Sequence, residues 1–176
     1  MVGQMRTLTR LGLSTATIGL VTSLAGTLAI GTAAASPNST KTQTVALLPV
    51  LRYCDFGFVA TAPQVPLPFQ GTGSVVMTTA GSSVTAEVRV VIYNRPDTHY
   101  DVGLIQAPRP SSAPCGPGDP GTAFAGLDTD AAGGGTVTIH DSIRPGTTGV
   151  WVAVQRPNPH SQSPAEYYSS EIVAPV

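Results

Sequence analysis

The segment 97–101 holds the densest set of groups that could carry chemistry, with a carboxylate or an imidazole at every second position. Residues two apart on a strand share one face, so Asp97, His99 and Asp101 are predicted to point the same way. Such groups ligate zinc and similar ions and also act as acid–base pairs. A metal-dependent or hydrolytic enzyme using these residues is therefore one hypothesis. The competing interpretation is a solvated strand face, because side chains roughly 7 Å apart along a strand are too widely spaced for tight coordination.

The other polar groups lack the spacing of a catalytic motif. His140 and Asp141 are adjacent and His160 lies in a Pro/Ser-rich stretch, but there is no nucleophile elbow, zinc-binding helix motif or phosphate loop. Residues 128–135 open like a calcium loop, yet Ala132 and Ile139 stand where oxygen ligands are needed. Asp and Gly are what a turn requires, so this stretch predicts a turn. The sequence assigns no catalytic residue, no metal site and no cofactor.

Three large aromatic residues near the C-terminus, Trp151, Tyr167 and Tyr168, are the predicted binding residues. Trp151 alternates with Val150 and Val152, which places it on the opposite, outer face of its strand. An exposed Trp beside Tyr is typical of docking sites for a protein or a glycan. The alternative is a packing residue beneath the Pro-rich loop 156–164. The long Pro/Gly-rich loop 107–121 is a second candidate binding region.

Cys54 and Cys115 are the only two cysteines. In an exported chain two cysteines are predicted to form a disulfide rather than two free thiols. The bridge would close a loop of about 60 residues, which is worth roughly 4 kcal/mol in the chain-entropy model. Cys115 lies in a Pro/Gly-rich loop, so the bridge would fasten that loop to the strand that carries Cys54.

The elements that position these groups are strands, because no window shows a sustained helical period. The clearest strand is 83–94, followed by a turn at 94–97 and a strand at 98–106, and these two strands are predicted to form a hairpin. Further predicted strands are 44–51, 52–60, 73–79, 122–127, 136–140, 148–155 and 167–173. Seven to nine short strands predict an all-β, antiparallel immunoglobulin-like β-sandwich, with a closed barrel as the alternative.

The first 35 residues have the layout of a Sec-type signal peptide. Arg6 and Arg10 precede an uncharged stretch from Leu11 to Ala35 that ends in three alanines. The predicted organisation is a cleaved signal peptide at 1–35, a flexible arm at 36–44 and a β-sandwich domain at 45–176. An uncleaved membrane anchor is the alternative, because the apolar stretch is long enough to cross a bilayer.

Composition narrows the classes of partner. The chain has nine Lys and Arg against ten Asp and Glu, for a net charge of −1. No basic cluster is present, so a nucleic-acid partner is not expected. After cleavage no stable membrane span is expected either.

From Glu87 onward the sequence resembles small exported proteins of actinobacteria, of the mycobacterial type. The residues that carry the resemblance are 98–102, 127–133, 149–152 and 166–170. The resemblance implies an immunoglobulin-like sandwich and brings no catalytic residues.

Together these observations predict a secreted or cell-envelope protein that is not an enzyme. It is expected to bind an envelope or extracellular protein or glycan through its loops or through the face near Trp151. The enzyme built on His99 is one alternative. The other is a passive structural or antigenic envelope protein.

Overall fold

The computed structural model describes residues 40–60 and 71–176, and these ranges contain strands, turns and loops but no helix. The predicted signal peptide at 1–35 and residues 36–39 of the predicted arm lie outside the described residues. Accordingly, the described ranges contain no helix long and apolar enough to cross a membrane. The strands are β1 (Lys41–Leu48), β2 (Gly71–Ala80), β3 (Ser83–Ile92), β4 (His99–Ala107), β5 (Thr122–Asp128), β6 (Gly134–Ser142), β7 (Gly149–Arg156), β8 (Glu166–Ser170) and β9 (Ala174–Pro175).

Alternation of apolar side chains turns one face of each strand toward a single core. Along β3, five apolar residues at every second position are at most 3% exposed: Val84, Ala86, Val88, Val90 and Ile92. The residues between them are exposed or half-buried. Every one of the nine strands contributes at least one side chain to the same core. The period-2 pattern that predicted the strands is therefore also what assembles the core.

The strands pair antiparallel in one continuous sheet of order β5-β4-β7-β8-β1-β2-β3-β6, with β9 beside β7. The two end strands pack against each other, because a Cβ on Gly135 of β6 would lie 2.5 Å from Cδ2 of Leu127 on β5. The sheet thus curls almost into a barrel around the core. The predicted all-β antiparallel fold of seven to nine strands is confirmed, and the continuous pairing makes the sheet nearly barrel-like.

The predicted hairpin between β3 and β4 is wrong. β3 pairs with β2 and β6, whereas β4 pairs with β5 and β7. The tight turn at Gly81, which has φ of +58°, joins β2 to β3. One edge of β3 is therefore occupied by β2. Residues 93–98 therefore carry the chain across to the other half of the sheet. The buried Thr129 hydroxyl holds this crossing, since it donates to the carbonyl of Arg95 and accepts from the amide of Thr98 at 3.0 Å.

Two weaker predictions also need correction. β1 begins at Lys41, inside the predicted arm, because Lys41 to Thr44 pair with β2 in register. Their polar side chains suit a strand there, since this part of β1 is largely exposed. The predicted strand at 52–60 is instead an irregular segment with one isolated bridge, between Arg52 and Phe58.

The predicted turn between β5 and β6 is confirmed. One carboxylate oxygen of Asp130 accepts hydrogen bonds from the amides of Ala132 and Gly134, each at 2.8 Å. Gly133 has φ of +81°, and a Cβ there would stand 2.1 Å from the carbonyl oxygen of Ile92. Only glycine fits this position, both for its backbone angle and for the close approach.

Candidate functional site

Trp151 lies on the outer face of β7, opposite the core residues Val150 and Val152, as the alternation predicted. Its side chain is only 2% exposed, so the expected exposed Trp is corrected. The ring of Phe56 covers it edge-to-face, with 5.5 Å between ring centroids. The cover comes from residues 52–58, here called the cover segment, and from Cys115 of the long loop.

The cover segment is held in a specific shape. Arg52 donates from its guanidinium to the Ser169 hydroxyl at 3.2 Å and to the Phe56 carbonyl at 3.0 Å, and it stacks over the Phe56 ring at 3.7 Å. Burial lowers the pKa of Arg52, although arginine stays charged at neutral pH. Phe56 has φ of +71°, a strained value for a bulky residue. The Asp55 carboxylate compensates by accepting the Gly57 amide at 2.9 Å.

The disulfide fixes the cover segment to the long loop. Cys54 and Cys115 are joined with 2.04 Å between the sulfurs, as predicted. Cys115 packs on the small cluster formed by Ile105, Trp151 and Ala153 on the outer face. The bridge therefore ties two irregular segments together above the sheet.

Between the cover segment, the long loop and the outer faces of β4, β5 and β7 lies a cavity of about 280 Å³, here called the outer-face cleft. Its polar lining includes Arg52, Asp101 and Gln155, and its aromatic lining is Phe124 and Trp151. Concave sites that combine apolar walls with a few polar groups are typical of ligand pockets. This volume is slightly below the usual range for drug-sized ligands, which points to a small ligand or one residue of a larger one.

Small residues on neighbouring strands make room for the cleft. Gly103 of β4 pairs with Phe124 of β5 on one side and with Ala153 of β7 on the other. A Cβ on Gly103 would lie 2.6 Å from the Phe124 ring, so the ring rests directly across the glycine. The cleft is therefore built by one large aromatic side chain packed over a small-residue floor.

Hydrogen-bonding groups at the cleft are only partly used. The indole N–H of Trp151 is buried and has no partner in the described part of the chain. Arg52 has five N–H donors, of which Ser169, Phe56 and Glu171 each accept one. Two N–H donors of Arg52 therefore remain for a ligand.

His99 lies beside the cleft, on the same outer face as Asp101 of β4. Its Nδ1 is 2.7 Å from a carboxylate oxygen of Asp128, and its Nε2 is 3.4 Å from one of Asp101. Asp97 is in the preceding turn, with φ of +46°, and is not part of this set. Of the three residues of the hypothesised enzyme site, the structure thus brings His99 and Asp101 into contact. It also places Asp128 of β5, which the hypothesis did not include, beside His99. Among the described residues no group of three such side chains could hold a metal ion.

The hydrogen bond to Asp128, helped by the weaker contact with Asp101, raises the pKa of His99 above its usual value. Both carboxylates favour the imidazolium, so this ion pair contributes stability at low pH that is lost as the pH rises through the raised pKa. We expect Asp128→Asn to lower the pKa of His99 in an NMR titration of the ring protons. Glu87→Gln, which removes an exposed carboxylate on β3, serves as the control. Equal pKa values in the wild type and Asp128→Asn would contradict the assigned contact.

The two predicted tyrosines are buried rather than displayed. Tyr167 is 6% and Tyr168 is 4% exposed. The Tyr168 hydroxyl donates to the buried carboxylate of Glu166 at 2.6 Å, and that of Tyr100 donates to the same carboxylate at 3.1 Å. Tyr168 therefore belongs to a buried polar cluster on the core side of the sheet.

Several residues of the site escaped the sequence analysis. Phe124 and Gln155 are ordinary strand residues, and only the strand order places them beside Trp151. Arg52 and Phe56 lie in a stretch predicted to be a strand. The Asp55–Gly57 spacing, which is typical of a side-chain-stabilised turn, was the available signal for the irregular cover segment.

Comparison with known protein families, with curated proteins and with solved structures finds no match for this chain.

Proposed function

We propose that the protein is an exported, non-enzymatic binding module that holds one unit of an envelope or extracellular glycan in the outer-face cleft. The observation that carries the proposal is the lining of the cleft, in which the aromatic side chains of Phe124 and Trp151 lie beside the polar groups of Arg52, Asp101 and Gln155. Concave sites that combine aromatic walls with a few polar groups are typical of ligand-binding sites.

The mixture of groups at the cleft favours a glycan over a protein segment. A sugar hydroxyl both donates and accepts, and the cleft offers an acceptor in Asp101, donors in Arg52 and both kinds in the Gln155 amide. The Phe124 ring provides an apolar wall against which the C–H face of a sugar ring can pack. A single protruding side chain of a protein would leave most of these groups without partners.

The predicted export supports the same proposal. The signal-like segment at 1–35 and the Cys54–Cys115 bridge both suit an oxidising compartment outside the cytoplasm. Envelope polysaccharides and extracellular glycans are among the ligands that such a compartment offers.

Trp151 lines the cleft and is the only Trp in the chain, so its fluorescence can report ligand binding there. We expect soluble envelope polysaccharides, or their mono- and disaccharide fragments, to change the Trp fluorescence saturably. Phe124→Ala should weaken that binding about tenfold or more, since it removes an aromatic wall from the centre of the site. Gln155→Ala should weaken it as well, by removing a donor and an acceptor.

Tyr93→Ala is the matched control for Phe124→Ala, because Tyr93 is an aromatic residue that is 60% exposed and lies outside the cleft. It should leave the affinity unchanged. A saturable response to extended peptides but not to glycans would contradict the ligand class. The absence of any saturable response would favour the passive envelope protein instead.

A further inference from the structure

A second cavity, here called the proline pocket, lies where β4 ends, between the loop after β4 and the turn that joins β6 to β7. Its volume is about 360 Å³, and it shares no lining residue with the outer-face cleft. Five of its eleven lining residues are prolines: Pro108, Pro110, Pro114, Pro120 and Pro145. Gln106, Arg109 and Arg144 supply its main polar groups. Proline rings give rigid apolar walls, which lose little conformational freedom when a ligand binds.

The floor of the proline pocket is fixed by the buried amide of Gln106. Its nitrogen donates to Asp141 at 2.7 Å and to the carbonyl of Ser142 at 2.9 Å. Its oxygen accepts the amide of Arg144 at 2.9 Å and the hydroxyl of Thr147 at 2.7 Å. All the main bonding positions of this side chain are used, so Gln106 sets the geometry and leaves recognition to the other groups.

Two guanidinium groups converge at the pocket, and none of the described carboxylates forms a salt bridge with either. The position that a Cβ on Gly121 would take is 3.1 Å from a terminal nitrogen of Arg144 and 3.2 Å from one of Arg109. Arg109 donates to the carbonyls of Pro114 and Pro120, both neutral, and its buried Nε has no partner in the described part of the chain. Neither arginine forms a salt bridge within residues 40–60 and 71–176. The nearby Asp141 is engaged by Gln106 and by the amide of Ser142.

We propose that the proline pocket binds a small ligand that carries a carboxylate or phosphate group on an apolar body. Two adjacent like charges in a concave site are stabilised by an anion, and guanidinium groups match the geometry of both oxyanions. The proline walls match the apolar body. This site is independent of the outer-face cleft and does not rest on the glycan proposal.

Four probes separate the parts of this ligand: phenylacetate, phenyl phosphate, neutral phenylacetamide and inorganic phosphate. Binding to the disulfide-bonded protein is followed by the amide NMR signals of Gln106, Arg144 and Thr147. We expect at least one of the two aryl anions to bind saturably at millimolar concentration or below. Phenylacetamide and inorganic phosphate should bind about tenfold more weakly or worse, because each lacks one half of the ligand.

The test variant is Arg144→Gln, since the Arg144 side chain forms no hydrogen bond or salt bridge with the described residues. The backbone amide of residue 144, which donates to Gln106, is kept in this variant. It should lower the affinity for the bound aryl anion about tenfold, with an unchanged melting temperature. Arg89→Gln, the same change of charge on the exposed face of β3, should have no effect. The proposal is overturned if neither aryl anion binds, if either incomplete probe binds equally well, or if Arg144→Gln binds as the wild type does. A shift confined to Trp151 would place the ligand in the outer-face cleft and would also overturn it.

Discussion

Glu166→Ala is expected to lower the free energy of unfolding by about 3–5 kcal/mol, one of the largest effects available to a single substitution in this chain. Glu166 is 2% exposed, and its carboxylate accepts hydrogen bonds from both Tyr100 and Tyr168. The same carboxylate forms salt bridges with Arg95 at 3.1 Å and Arg156 at 3.4 Å. Removing it leaves two buried hydroxyls and two partly buried cations without their shared acceptor.

The pH dependence gives a second signature of the same cluster. Burial acts to raise the pKa of Glu166, but the hydrogen bonds from the two tyrosines and Arg95 outweigh burial and hold the pKa below its usual value. The stabilisation by this carboxylate is therefore present above its unfolded pKa and is lost as the pH falls through the folded one. Burial and the neighbouring carboxylate raise the pKa values of Tyr100 and Tyr168. Their contribution is present below the tyrosine pKa of the unfolded chain and is lost as the pH rises above it.

Urea unfolding of the wild type, Glu166→Ala and Glu166→Gln across acidic and neutral pH measures both signatures. Glu166→Gln keeps the shape but not the charge, so its unfolding free energy should depend less on pH on the acid side. Glu87→Ala is the matched control: Glu87 pairs with Arg89 at 3.1 Å, but both side chains are exposed. Exposed pairs contribute about 0–1 kcal/mol, so this change should be nearly neutral. Similar losses in Glu166→Ala and Glu87→Ala would show that the buried cluster is not a major source of stability.

The strands could be predicted from the sequence because their pattern is local. Alternating apolar residues from Val84 to Ile92 locate β3 to within two residues of its end. The partners of β3 could not be predicted in the same way. A turn signal at residues 94–97 looks the same whether the chain folds back on itself or crosses to the other half of the sheet. What decides between them is the occupation of both edges of β3 by β2 and β6, which is a property of the whole sheet.

The candidate site shows the same division between local and distant information. The alternation along β7 correctly placed Trp151 on the outer face. The pairing of Cys54 with Cys115 followed from the presence of only two cysteines in a chain predicted to be exported. Burial of Trp151 depends on Phe56, which lies far away in the sequence and reaches it only because residues 52–58 fold over the sheet. Likewise, the partner of His99 is Asp128 on the neighbouring strand, and no spacing within residues 97–101 could reveal it.

Breaking the Cys54–Cys115 bridge is expected to lower the free energy of unfolding by about 4 kcal/mol, because it joins cysteines separated by 61 residues. The bridge also supports the cover over Trp151, since Cys115 packs in the same cluster as Phe56. The Cys54→Ser/Cys115→Ser variant should therefore unfold at a lower urea concentration. In the folded state its Trp emission should shift to longer wavelength, because water reaches the ring.

Reductant provides the internal control for this prediction. Dithiothreitol should destabilise the wild type to the level of the double Ser variant and should leave that variant unchanged. An intact mass two hydrogens below that of the reduced chain confirms that the bridge was present at the start. Equal unfolding midpoints with and without reductant would mean that the long loop is already restrained by other contacts, of which the bonds from Arg109 to Pro114 and Pro120 are the strongest candidates. An unchanged Trp emission would then show that the cover segment keeps its place without the bridge, through contacts such as those of Arg52 with Phe56 and Ser169.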